Sequence, residues 1–153
     1  MRLWHRDLIP YLPKQQLLGQ WRELCCIASA LAVDHTPNHI LVNPILDYPP
    51  EHFEYFCNLI MDEMKKRKFE IHPTALNTLQ NNIRAWRIYL GQELPFDYVD
   101  KDWGMDLGEP VYDDWHNKRY LKQCYCNLEE KYDRGGIPND EWMIIFANFG
   151  GIW

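Results

Sequence analysis

No stretch of this chain reaches the roughly eighteen consecutive apolar residues of a membrane-spanning helix, so no membrane partner is expected. No segment alternates long enough to suggest strand pairing, and there is no internal repeat. Helices are therefore the regular structure to expect. The start is charged and broken by Pro10 and Pro13, unlike a leader peptide. The five cysteines include Cys25-Cys26 and Cys124-x-Cys126, and neither spacing matches a zinc site. Adjacent cysteines rarely bridge and the count is odd, so reduced thiols in a cytoplasmic protein are the plain expectation. His35 and His39 straddle Thr36-Pro37 and cannot share a helix face, so no metal is expected. Positive charge is also short, with 16 Lys and Arg against 22 Asp and Glu.

That deficit is uneven. Residues 1–92 carry ten Lys and Arg against nine acids, while residues 93–153 carry six against thirteen. Any basic face for nucleic acid must come from the first half: Arg2, Arg6, Lys14, Arg22, Lys65 to Lys68, Arg84 and Arg87. The acidic second half would suit a basic protein partner. At 153 residues one domain is expected, and the assembly state expected is a monomer.

Proline and apolar spacing predict the elements. Pro10 and Pro13 predict an extended arm over residues 1–13. Leu17, Leu18, Trp21, Leu24, Cys25 and Ala28 predict a first helix over 14–33. Pro44 breaks the apolar run 38–48 into a loop with a buried segment. Pro50 and Glu51 start a second helix, which Lys65 to Lys68 close. Thr74 is expected to cap a third, ending at Gly91. Residues 92–112 read as an acidic surface loop, an insertion or lid. Asp113 or Asp114 is expected to cap a fourth helix reaching Tyr132, and a short last helix spans Pro138 to Phe149. The predicted fold class is all-α: a compact domain of four to five helices with an extended N-terminal arm.

Two groups in the first 26 residues can carry chemistry. Glu23 is a lone carboxylate on a helix stripe with Gln16 and Gln20, beside Arg22. A carboxylate next to cations can move protons. An unperturbed α-amine such as that of an N-terminal Met1 has a pKa of about 7.7–8.0, so a sizeable fraction, roughly a tenth to a sixth at pH 7, is neutral, which makes it a better amine nucleophile than lysine. Leu3, Trp4, Leu8 and Ile9 are apolar enough to dock the arm. Arg2, Arg22 and His5 are candidates for phosphate or sugar contacts.

The start Met-Arg-Leu, followed by L-I-x-x-L-x-x-Q-x-L-L-x-x-x-R-E-L over residues 8–24, resembles the N-terminal block of the pyrimidine-dimer DNA glycosylases of the phage endonuclease V type. Asn38-His39 with the later MDEMKKRKFEI, and the stretch LKQCYCNLEEKY, resemble further blocks. The resemblance implies a DNA glycosylase with AP-lyase activity on damaged or modified bases in double-stranded DNA. It implies Met1 as nucleophile and Glu23 as its catalytic partner. Arg2, His5, Gln15, Arg22 and Lys131 would contact DNA, and no cofactor would be needed. The bulk of Arg2 should keep Met1 from being removed. Cys26 and Asn127 depart from the pattern, standing where a cation is expected. The competing class is a non-catalytic module on the same fold that binds protein or nucleic acid.

Overall fold

The computed structural model describes residues 1–101, 103–104 and 106–153. Among them are six α-helices and no strand: α1 (Lys14–Asp34), α2 (Pro50–Lys66), α3 (Pro73–Tyr89), α4 (Tyr98–Lys101), α5 (Lys118–Asp133) and α6 (Asn139–Phe149). Short 3-10 turns cover Arg6–Tyr11 and Asn43–Asp47. No helix is long and apolar enough among the described residues to cross a membrane. The class is all-α as predicted, and the additional helix is α4, inside the stretch expected to be loop.

The core forms where the helical stripes meet. α1 buries Leu17, Trp21, Leu24, Ile27, Ala28 and Leu31. It packs most extensively on α3 and next on α2, whose Phe53, Phe56, Ile60 and Met64 are buried. α2 begins with Pro at its first position and ends in Lys65 and Lys66, which suits the helix dipole. α5 packs on α6 and contributes Leu121, Cys124, Tyr125 and Leu128.

Four expectations are corrected. The arm is not extended throughout, because residues 6–11 wind into a 3-10 turn whose Leu8 and Ile9 are buried. A single short turn loses only one donor to Pro10, and burial outweighs the local preference for extension. The third helix is capped by His72 rather than Thr74: its ring accepts from the Thr74 amide, and Pro73 takes the first helical position. α5 begins at Lys118 with Asn117 as cap, accepting from the Tyr120 amide at 2.9 Å. Asp113 instead pairs with Arg6 at 3.2 Å, and Tyr112 turns left-handed at φ 51° to enter the core.

The acidic stretch 92–112 is also not a free surface loop. Tyr98 and Val111 are buried in it, and the Tyr98 hydroxyl donates to the Glu54 carboxylate on α2. Asp102 and Met105, within that stretch, lie outside the described residues.

Candidate active site

The site is built around a clamp on the N-terminal arm. Gln20 and Glu23 lie one turn apart on α1 and face the arm. Gln20 is only 1% exposed. Its Oε1 accepts from the Trp4 amide at 2.7 Å, and its Nε2 donates to the Arg2 carbonyl at 3.0 Å. The same Nε2 lies 3.4 Å from Glu23 Oε2. From the opposite side, the Tyr120 hydroxyl on α5 donates to the Leu3 carbonyl. The backbone of residues 2–4 is thereby fixed by two helices. Buried amides and carbonyls demand such partners, and here side chains supply them.

A second layer locks the arm below this. His5 is buried and donates Nε2–H to the His116 carbonyl at 2.8 Å. Its Nδ1 accepts from the Asp7 amide at 3.1 Å, which sets that tautomer. His116 Nδ1 accepts from the Arg6 amide at 3.0 Å, and the two imidazoles stack with centroids 5.1 Å apart. Burial pushes the His116 pKa down to about 2, helped by His5 and Arg6. Burial also lowers that of His5, against the pull of Asp7. Both rings are neutral and structural near pH 7. His5 therefore has no free ring nitrogen to offer a phosphate.

Above the clamp lies a cavity of about 170 Å³ lined by Met1, Arg2, Trp4, Glu23, Leu41, Asn127 and Lys131. Arg2 also sits over the Trp4 ring, 5.6 Å from its centroid. A wider recess of about 440 Å³ shares Arg2, Leu41 and Asn127 with it, and adds Tyr120, Gln123, Cys126 and Glu130. Among the described residues, Glu23, Arg2 and Lys131 enter no ion pair within 4.0 Å. A carboxylate, an amine and two long cations thus line one small cavity with their charges uncommitted to each other.

Four of the residues singled out in the sequence, Met1, Arg2, Glu23 and Lys131, come together here. Gln15 and Arg22 are exposed on α1 outside the cavity lining. Arg22 lies back along α1, near Gly19, where a Cβ would come 3.8 Å from its guanidinium. Gln20 and Tyr120 hold the arm beside the cavity, and sequence reasoning gave neither that part. Gln20 had a visible signal, a polar residue one turn before the only carboxylate of α1's first 20 residues.

The basic face is smaller than the sequence suggested, because three of its cations are structural. Arg67 pairs with Glu63 and donates to the carbonyls of Ile9, Pro10 and Leu12, capping the 3-10 turn. Arg6 donates to the Val111 carbonyl at 2.6 Å and pairs with Asp113. Arg87 pairs with Glu54 and Glu51, both at 2.8 Å. This last network borders another cavity, of about 430 Å³, between α2, α3 and the acidic stretch. There Glu54 is 2% exposed and also accepts from the Gly104 amide, while His52 meets Glu109 at 2.9 Å. Its volume exceeds that of the Met1 cavity, but the charged groups at its centre, Arg87 with Glu51 and Glu54, are paired with one another, while Glu93 and Asp106 line it without an ion pair among the described residues.

A family model described as pyrimidine dimer DNA glycosylase matches residues 1–77. That span holds the arm, α1, the turn at 38–47, α2 and the start of α3, but not the Tyr120 and Lys131 of α5. No curated protein and no solved structure matches the chain.

Proposed function

The chain belongs to the pyrimidine dimer DNA glycosylase family, and from that premise we propose that it is a glycosylase with AP-lyase activity in which the Met1 amine is the nucleophile. The neutral amine attacks C1′ of the sugar bearing the damaged base. The C1′–N bond breaks, and the base leaves with that electron pair and gains a proton. The sugar ring opens to a protonated imine between the Met1 nitrogen and C1′. Loss of a proton from C2′ expels the 3′ phosphate, and water then hydrolyses the imine to free the amine. Glu23 stabilises the cationic imine and carries the proton from C2′. Arg2 and Lys131 hold phosphates beside the lesion, with Arg22 and Gln15 further along α1. No metal or organic cofactor enters these steps.

The observation that carries this reading is the shared cavity of Met1, Glu23, Arg2 and Lys131, with the arm clamped by Gln20. A nucleophile must be held still to react, and an N-terminus is ordinarily frayed. The test is borohydride reduction in the presence of a duplex carrying a pyrimidine dimer or an abasic site. A covalent adduct that maps by mass spectrometry to the Met1 nitrogen is expected. If neither duplex yields an adduct, the protein is a non-catalytic binding module on this fold.

A further inference from the structure

The turn at residues 39–43 carries two aliphatic side chains into solvent beside the cleft. Ile40 is 82% exposed and Leu41 45%. Single exposed aliphatics are ordinary on protein surfaces. This pair is not loose, however. The His39 amide donates to Asn43 Oδ1 at 3.0 Å, and the Leu41 amide donates to His39 Nδ1 at 3.2 Å. The His39 carbonyl accepts from the amides of Val42 and Asn43. Directly beneath, Val42 and Ile45 are fully buried and anchor the turn in the core. The left-handed Asn38, at φ 53°, aims the chain into it. A turn tip ordinarily takes polar residues, which suit both water and the turn. Here a rigid base presents hydrocarbon instead.

The position gives the hydrocarbon a use. Leu41 lines both the Met1 cavity and the adjoining recess, in each case with Arg2 and Asn127. Ile40 stands next to it in sequence and further into solvent. Neither side chain has a donor for a phosphate. What a duplex offers to hydrocarbon is the face of a base exposed when its neighbour leaves the stack. Proteins that kink DNA fill such gaps with aliphatic wedges, at a cost of unstacking that the new contacts offset.

We propose that Ile40 and Leu41 form a wedge that enters the base stack beside the lesion and holds the sugar open to the Met1 amine. The proposal rests on the glycosylase reading of the cleft. It makes Ile40 the leading side chain and Leu41 the wall behind it.

The experiment compares the parent with Ile40→Ser and Ile40→Met on two probes. One is a duplex with an abasic site flanked by 2-aminopurine, whose fluorescence rises when it unstacks. The other is the same abasic strand without its complement. In the parent, binding to the duplex should raise the fluorescence. In Ile40→Ser most of that rise should vanish, and the ratio of duplex to single-strand trapping rates should fall about tenfold, since only the duplex has a stack to open. Ile40→Met should restore both. An Ile40→Ser protein that matches the parent in fluorescence and in the trapping ratio overturns the wedge and leaves the turn to face a protein partner. A parent that traps neither probe overturns the Schiff-base chemistry instead, and the fluorescence rise still decides the wedge.

Discussion

Two of this protein's cavities hold similar residues, differently paired. Between α2, α3 and the acidic stretch, Arg87 meets Glu54 and Glu51, Tyr98 donates to Glu54, and His52 meets Glu109. Burial works against the Arg87 charge, but the Glu54 carboxylate beside it leaves its pKa raised. The Tyr98 hydroxyl is pushed well up by burial and then by the same carboxylate. Beside the arm, the buried polar side chain is an uncharged amide. Gln20 spends its hydrogen bonds on the backbone of Arg2 and Trp4. Above it, Glu23 accepts one further hydrogen bond from Gln20, and Arg2, Glu23 and Lys131 enter no ion pair among the described residues. A closed ion network holds a fold together, whereas charges without partners are available to a ligand. This difference is the ground for proposing the smaller cavity as the reacting site.

Breaking the closed network should give the largest effect. Arg87→Met leaves Glu54 buried without its cation, and removing one partner of such a pair costs about 3–5 kcal/mol. Urea denaturation should show that loss, while the folded fraction traps abasic DNA at the parent rate. A stability within error of the parent would mean that the fold does not depend on the Arg87–Glu54 pair. Next comes the open site. Glu23→Gln keeps the shape but removes the proton acceptor, so strand nicking should fall by at least about 10²-fold with duplex binding retained. One Gly added before Met1 moves the amine by up to about 3.6 Å and should abolish trapping with Glu23 still present. Nicking at the parent rate by either variant would show that the two groups are not the reacting pair.

The arm clamp joins the two kinds of effect. Gln20→Leu fills a similar volume but strips the Trp4 amide and the Arg2 carbonyl of their partner. A loss of about 1–3 kcal/mol in stability is expected. Trapping should slow by up to about 10²-fold, since misplacing a nucleophile by an ångström costs that much. If stability falls and trapping does not, the clamp serves folding alone.

How much of this could be read from the sequence depends on the range of the contact. The helices were legible because their stripes repeat every three or four residues, as in Leu17, Trp21, Leu24 and Ala28. The α2 start at Pro50 and its basic end were legible for equally local reasons. Glu23 stood out through its neighbours in R-E-L. The clamp was not legible, because its partners lie 16, 18 and 117 residues apart. The start of α5 was misplaced for the same reason: Asp113 has the chemistry of a cap, but Arg6 from the far end of the chain takes it. His5 looked like a phosphate contact until His116 supplied it with a buried partner. The acidic stretch looked like solvent-exposed loop because its hydrophobic anchors, Tyr98 and Val111, are single residues without period.

The histidine layer beneath the clamp predicts a pH dependence of the arm. The pKa values of His5 and His116 are lowered in the folded state, so the unfolded chain takes up protons that the native state refuses. Stability should therefore be full above the ordinary histidine value of 6.5 and decline as pH falls below it, towards the value of about 2 for His116. Between pH 7 and about 5, histidines titrate before most carboxylates. His116→Asn can still accept from the Arg6 amide but cannot protonate there. Its thermal midpoint should fall less over that interval than the parent's. Parallel profiles would mean that other groups control the acid response.

The smallest effect sharpens the comparison most directly, because it asks which cavity meets DNA. Each phosphate neutralised by a lysine or arginine releases counterions, and contributes about −0.9 to the slope of log K against log salt on duplex DNA. Lys131 lines the Met1 cavity and pairs with no carboxylate among the described residues. Lys131→Gln should make the slope shallower by about one such unit and weaken binding evenly across sequences. Glu93→Gln also changes the net charge by one, in the opposite direction, but lies at the other cavity. If only total charge mattered, the two variants would shift binding by similar amounts with opposite sign. If DNA lies along the arm, Lys131→Gln changes the slope and Glu93→Gln leaves it where it was. A slope altered by Glu93→Gln and not by Lys131→Gln would move the DNA to the acidic side of the molecule, and the Met1 cavity would lose its claim to the substrate.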